Sequence, residues 1–313
     1  MTYKNRLKFL LSLIAALLLL YAGSFIFSSE ISNTRSASYT WLDEKHSAVI
    51  DRIVIKSETQ DIELVKQDQQ WFLLYEQELY PARKLRIDDF LGIFTQRNAW
   101  PVRSTNSSSH ANFGLQAHNA SRVIFYGGPS AHLDILAGNY DSSGREVYVR
   151  KYTQDEVRSG DNRVRTYISN PVTSWFNLRL FPESENGGLR ADSVQRLTVN
   201  LEGETQIFSR NNRTWNITGI EGEDSENESV ESYINGILNT EGNDFAGLIS
   251  NDDSENDLLF GFKRFEIEFS NGSIITVNFT EPDESGSCYA YVSGREYIYS
   301  IPAWAASRLT FGN

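Results

Sequence analysis

The chain has 313 residues, with 29 lysines and arginines against 41 aspartates and glutamates, a formal net charge of −12. That length allows about two domains of ~150 residues each. The single cysteine, Cys288, excludes an intramolecular disulfide and a cysteine metal cluster, and the acidic balance argues against nucleic acid and against docking on anionic lipid.

Lys4, Arg6 and Lys8 precede a nearly continuous apolar run of 19 residues, Phe9 to Phe27. This is about the length that crosses ~30 Å of hydrocarbon as a helix. Positive residues stay on the cytoplasmic side. Residues 1–8 therefore read as a cytoplasmic basic tail, and residues 9–27 as an uncleaved signal-anchor spanning the membrane once, with the bulk of the chain outside the cytoplasm. A cleaved signal peptide is the rival reading, with an apolar core of ~7–15 residues and a small-x-small cleavage site. Leu20-Tyr21-Ala22-Gly23-Ser24 matches that site poorly. Residues 28–48 read as a polar, Ser/Thr-rich spacer containing Trp41.

A first module is expected over residues 49–182. Ile53-Val54-Ile55, Ile62-Glu63-Leu64-Val65 and Trp71-Phe72-Leu73-Leu74-Tyr75 read as a three-stranded meander. Leu85, Ile87, Phe90, Leu91 and Phe94 recur at mostly helical steps. Phe113-Gly114-Leu115 marks a turn, and Val123–Tyr126 with Leu133–Leu136 a hairpin closed at Gly127-Gly128. Val147-Tyr148-Val149 and Thr166-Tyr167-Ile168 read as two further strands. Pro171 opens a short helix carrying Trp175, Phe176 and Leu180.

The order then repeats over residues 183–313. Arg52-Ile53-Val54-Ile55 is followed by Trp71, and 144 residues later Arg196-Leu197-Thr198-Val199 is followed at the same interval by Trp215. Val230, Tyr233, Ile234, Ile237 and Leu238 read as an amphipathic helix. Phe260-Gly261-Phe262 stands where Phe113-Gly114-Leu115 stood, and Asn271-Gly272 reads as a two-residue hairpin turn. Tyr289–Val292 and Tyr297–Tyr299 are the last strands, before a helix opened by Pro302 with Trp304, Ala306 and Leu309. The spacing between landmarks falls from 144 at the tryptophans to 131 between Pro171 and Pro302. The first module therefore carries an insert, which includes the charged stretch Asp155–Arg165. Residues found in both copies, including the pairs Trp71/Trp215 and Trp175/Trp304, are most simply core.

No catalytic constellation emerges. His46, His110, His118 and His132 lack metal-ligand spacing and read as solvated loop residues. Gly-x-Ser-x-Gly and phosphate-loop patterns do not occur, and Cys288 reads as a partly buried structural thiol. The acidic runs Glu221–Glu231 and Asp252–Asp257 lack the Gly and terminal Glu of a calcium loop. Charge is divided unevenly: residues 51–182 hold 16 basic and 15 acidic side chains, net +1, while residues 183–313 hold 8 and 23, net −15. The basic side chains in and beside the insert, Arg145, Arg150, Lys151, Arg158, Arg163 and Arg165, are the candidate partner contact. A solvated loop is the plainer account of them.

The order of these elements resembles the uncharacterised "domain of unknown function 4340" family. The resemblance rests on the Ile53-Val54-Ile55 strand, the Trp71 meander, the helix around Phe90-Leu91, the Phe113-Gly114-Leu115 turn, the strands Leu133–Gly138 and Glu146–Arg150, and Tyr167-Ile168 leading to Trp175. It covers residues 49–182 closely and 193–311 more loosely. The resemblance implies a single-span bacterial envelope protein whose genes often neighbour ABC-type transport systems similar to those linked to gliding motility. It carries over no catalytic residues and no cofactor.

The expected fold is therefore α+β: an N-terminal transmembrane helix, then two tandem, duplicated modules, each a mainly antiparallel sheet with one or two helices. The expected role is that of a non-enzymatic, extracytoplasmic accessory or scaffold protein of an ABC transporter-like, gliding-type complex. It would sit in the bacterial inner membrane with its bulk in the periplasm and an envelope protein as partner. The alternatives are a binding protein for a glycan or peptide and, behind it, a carboxylate-based hydrolase.

Overall fold

A computed structural model of the chain describes residues 38–181, 183–184, 187–201, 203–219, 227–249, 263–307, 309 and 311. The apolar run 9–27, the acidic stretches 221–226 and 252–257, and the turn at Phe260-Gly261-Phe262 lie outside them. No helix among the described residues is long and apolar enough to cross a membrane. The chain is α+β, with mostly antiparallel sheet and short helices, and divides into two compact units between Phe176 and Asn177.

The first unit begins earlier than the sequence suggests. Ser38–Tyr39 (β1) pairs with Asn98–Ala99 (β6), and Glu44–Ala48 forms helix α1. Trp41 and Leu42 are buried and donate their backbone N–H groups to the Phe94 carbonyl. Residues 38–48 are thus part of the folded unit and not spacer, because burial of Trp41 and Leu42 outweighs their polar flanks.

The main sheet of this unit is built from Arg52–Lys56 (β2), Asp61–Gln67 (β3), Gln70–Tyr75 (β4), Glu78–Pro81 (β5), Val102–Ser104 (β7), Ser121–Gly127 (β8), Ser130–Tyr140 (β9), Glu146–Lys151 (β10) and Val157–Asp161 (β11). Its order is β5-β4-β3-β2-β8-β9-β10-β11-β7, every pair antiparallel. Ile53, Leu64, Leu73 and Phe125 align across the strands and are fully buried. Helix α2, Lys84–Thr95, covers that face with Ile87, Phe90, Ile93 and Phe94; the Phe94 ring lies 5.1 Å from Phe125.

The expected strand at Thr166-Tyr167-Ile168 is instead helix α3, Arg163–Ser169. Val164 and Ile168, one helical turn apart, are both buried, and tertiary packing overrides the β-branched composition. The last strand, β11, lies inside the stretch read as an insert. Its alternation is hidden because Ser159 and Gly160 occupy buried positions. The charged stretch is thus strand β11 followed by the start of helix α3, not a loop. Pro171 precedes a 3-10 turn, Val172–Trp175.

In the second unit, Glu183–Ser184 (β12) pairs with Gly187–Gly188 (β13). The main sheet consists of Val194–Leu201 (β14), Glu204–Asn211 (β15), Thr214–Thr218 (β16), Asp244–Leu248 (β17), Lys263–Phe269 (β18), Ile274–Phe279 (β19), Ser287–Val292 (β20) and Tyr297–Pro302 (β21). Its order is β16-β15-β14-β18-β19-β20-β21-β17, again antiparallel throughout. Helix α4, Asn227–Leu238, buries Val230, Ile234, Ile237 and Leu238 over Leu197, Phe208 and Phe265. Leu180 packs in this core and not with Trp175, since the chain has already crossed to the second unit.

Two further expectations change. The Phe269 N–H bonds the Ser273 carbonyl and the Gly272 N–H the Phe269 carbonyl, so the hairpin carries a three-residue loop ending on Gly272 at φ +82°. Trp304, on the short helix α5 (Ala303–Ser307), is 62% exposed whereas Trp175 is fully buried, so this repeated tryptophan is not a shared core residue. Ala306 and Leu309 are buried in its place.

Candidate functional site

The six basic residues do not form one patch. In the β10–β11 hairpin Glu146 pairs with Asp161 and Arg150 with Val157. Four residues of strand, roughly 14 Å, therefore separate the Arg145/Arg163 end from the Arg150/Lys151 end. Arg150 is 8% exposed and donates to the carbonyls of Leu115, Lys151, Tyr152 and Gln154. It fastens two loops of its own unit through these four carbonyls. Arg158 bonds Glu156 at 2.7 Å and the Trp100 carbonyl at 2.7 Å, with its guanidinium 3.9 Å above the Tyr39 ring. Arg163 forks onto Asp161 but stays exposed. Arg165 is half-buried near Ser121, Lys151 is half-buried, and Arg145 is exposed.

A different arginine has the more unusual surroundings. Helix α2 starts at the sequence Arg83-Lys84-Leu85-Arg86. Its N-cap, Arg83, makes no side-chain cap, and its first turn holds no acid. This is the opposite of the usual charge preference at a helix N-terminus. Arg86 lies with its guanidinium 4.8 Å from the Tyr167 ring and 4.7 Å from the Trp175 ring. Burial lowers its affinity for its proton, and neighbouring Arg83 adds to that, while Tyr167 opposes it.

Three elements build this cluster. Phe90, one turn along α2 from Arg86, packs on Tyr167 at 5.2 Å and on Trp175 at 5.7 Å. The Gln60 amide donates to the carbonyls of Ile168 and Asn170, holding the end of α3. The Trp175 carbonyl accepts from the Arg83 N–H at 2.8 Å, setting the 3-10 turn against the start of α2. With its amide oxygen toward the arginine, Asn170 accepts from Arg86 Nη2 at 2.9 Å. Arg86 Nε, Ser174 Oγ and Trp175 Nε1 are buried without a partner. The sequence held one signal for this site, a basic first turn with no capping acid. The two rings could not be placed from it because Tyr167 read as strand.

The histidines divide. His110 is buried, with Nε2 2.9 Å from the Asp155 carbonyl, and is not a solvated loop residue. The His46 and His132 rings lie 4.7 Å apart, and His46 Nδ1 is 2.7 Å from Asp43. Among the described residues no group of three or more His, Cys, Asp or Glu side chains could hold a metal ion. Cys288 is buried, and burial raises its thiol above the ordinary value. Lys263 is 2% exposed, and burial draws its amine down to about 8.

A family model described as Domain of unknown function (DUF4340) matches residues 71–259, more than half of the chain. The chain belongs to this DUF4340 family. The match starts at Trp71 in β4 and runs through α4 and β17, so the DUF4340 region crosses from the first unit into the second. No curated protein matches the chain.

Proposed function

We propose that this DUF4340 protein is a membrane-anchored accessory or scaffold subunit of an ABC transporter-like, gliding-type complex in the bacterial envelope, its two units descended from one duplicated module and held on the periplasmic side. The observation that carries the duplication is the strand order. From β4 onward the first sheet reads β4-β3-β2-β8-β9-β10-β11-β7, and the second reads β16-β15-β14-β18-β19-β20-β21-β17, the same order strand for strand in chain sequence. In both units a helix falls after the third of these strands. The apolar run Phe9–Phe27 behind Lys4, Arg6 and Lys8 supports the anchor and its orientation.

A scaffold role suits residues that serve folding: Arg150, Arg158, Asp141 and Asp283 all bond to their own unit. The test is purification of the intact chain in mild detergent from its native membrane. Co-purification of ABC permease or ATPase subunits is expected, and repeated recovery of neither overturns the reading.

A further inference from the structure

We propose that the face of the first sheet opposite helix α2 is an interface for a second copy of this chain. The inference does not depend on the transporter reading.

Successive strand residues point to opposite faces of a sheet. Ile53, Leu64, Leu73 and Phe125 lie on the α2 side, so the intervening residues lie on the other. There Val54, Glu63, Leu74 and Ile124 align across β2, β3, β4 and β8, and Arg52, Val65, Phe72 and Tyr126 form the next row. The second sheet has the same strand order and supplies a comparison. Its matching rows are Thr198, Ile207, Thr218 and Glu266, then Arg196, Ser209, Asn216 and Glu268. Six of these eight positions are apolar or aromatic in the first sheet, and one, Ile207, in the second. The shared strand order therefore holds with a polar outer face, the usual state of a solvated antiparallel sheet. Folding alone does not require the apolar face of the first sheet, and such a patch marks an interaction surface. Val54 and Ile124 are buried at its centre, Val65, Phe72 and Tyr126 are half-buried, and Leu74 is 38% exposed.

Charge selects the occupant. Arg52 pairs with Glu63 at 3.5 Å, and Arg122 pairs with Asp134, beside Ile124, at 2.6 Å. Lys56 and Asp61 face each other across β2 and β3 in the row beyond. Three cations thus balance three acids. A face of zero net charge offers little to a strongly charged partner and meets its own copy without repulsion. The rest of the chain points the same way. Residues 183–313 carry −15 and repel their copy, whereas residues 51–182 carry +1. Contact between two copies therefore falls on the first unit. The two sheets pack face to face, ~10 Å apart, and each apolar contact occurs twice about the two-fold axis.

The test is sedimentation velocity of the full chain in mild detergent over a range of concentrations. A reversible dimer is expected. The double variant Phe72→Asn with Leu74→Thr installs the residues that the second sheet carries at the same positions. It is expected to fold and to weaken the dimer by about tenfold or more, while Ile207→Thr on the second sheet leaves the dimer unchanged. Should the double variant fail to fold by circular dichroism, Leu74→Thr alone, at the most exposed position, is expected to fold and to weaken the dimer. A wild-type monomer at every concentration, a dimer unaffected by the folded variant, or equal weakening by Ile207→Thr overturns the proposal. So does a different protein, held by the wild-type chain in membrane extracts and lost from the variant, in place of a second copy.

Discussion

Asp141 and Asp283 close the same loop in two different sheets. Asp141 Oδ1 accepts from the Arg145 N–H at 2.9 Å, and Oδ2 accepts from Ser143 Oγ at 2.6 Å. Asp283 Oδ1 accepts from the Ser287 N–H at 3.0 Å and from Ser285 Oγ at 2.6 Å. In each loop a glycine three residues after the aspartate has positive φ, Gly144 at +68° and Gly286 at +78°. The sequences Asp141-Ser142-Ser143-Gly144 and Asp283-Glu284-Ser285-Gly286 join β9 to β10 and β19 to β20.

The serine hydroxyls, then the backbone amides, hold both carboxyls down at about 2, against an ordinary 3.8. A depressed folded value means stability that is present above about pH 4 and lost as pH falls toward 2. Asp141→Asn and Asp283→Asn should each flatten the loss of stability over that window, as measured by urea midpoints at successive pH values. An unchanged acid limb in both variants would show that the loops contribute nothing to folding.

Arg150 gives a second prediction. Its four carbonyl partners lose their donor in Arg150→Met, so stability should drop by about 3 kcal/mol or more. If Arg150 were a partner contact, the same substitution would leave the denaturant midpoint alone and reduce only binding.

Gly160 supports the Trp100 ring. A Cβ at Gly160 would lie 2.4 Å from Trp100 Cε3, inside any real contact, and Trp100 is fully buried. Gly160→Ala should cost about 1–3 kcal/mol, read as a lower guanidinium midpoint with an unchanged slope.

Lys263 predicts the alkaline behaviour. Its amine, lowered by burial to about 8 against an ordinary 10.5, sheds its proton earlier in the folded state than in the unfolded one. The unfolded chain binds more protons between those values, so stability rises with pH from about 8 to 10.5, by on the order of 3 kcal/mol at most. Lys263→Met should remove this rise. Parallel wild-type and variant profiles across that range would rule out Lys263 as its source.

The turn between β3 and β4 places Asp68 at φ +47° and Gln69 at φ +67°. Glycine suits the second position of such a turn far better than glutamine. Gln69→Gly should stabilise the protein by about 1 kcal/mol, raising the thermal midpoint by roughly 2–4 °C. A lower midpoint would mean that the glutamine side chain outweighs the backbone strain.

The local patterns of this chain were legible wherever one periodicity ruled a whole element. The alternation of Ile53, Ile55, Ile62, Leu64 and Leu73, the helical spacing through Phe90 and Phe94, and the echo of Trp71 in Trp215 all follow from side-chain positions that the backbone repeat fixes in advance. Membership of the DUF4340 family was legible for the same reason, as an order of such elements.

Tertiary structure decided the rest. Residues 163–169 became helix because Val164 and Ile168 found a buried face, which their own composition does not specify. Arg150 and Arg158 look like a surface patch in sequence, and only the loops folding over them turn them into internal fastenings. The pairing of Arg86 with Tyr167 and Trp175 joins residues about eighty to ninety positions apart on three elements. Sequence determined the repeating elements because they depend on neighbours along the chain. The charged groups could be assigned only from the fold, because a side chain's partner is set by what lies across from it in space.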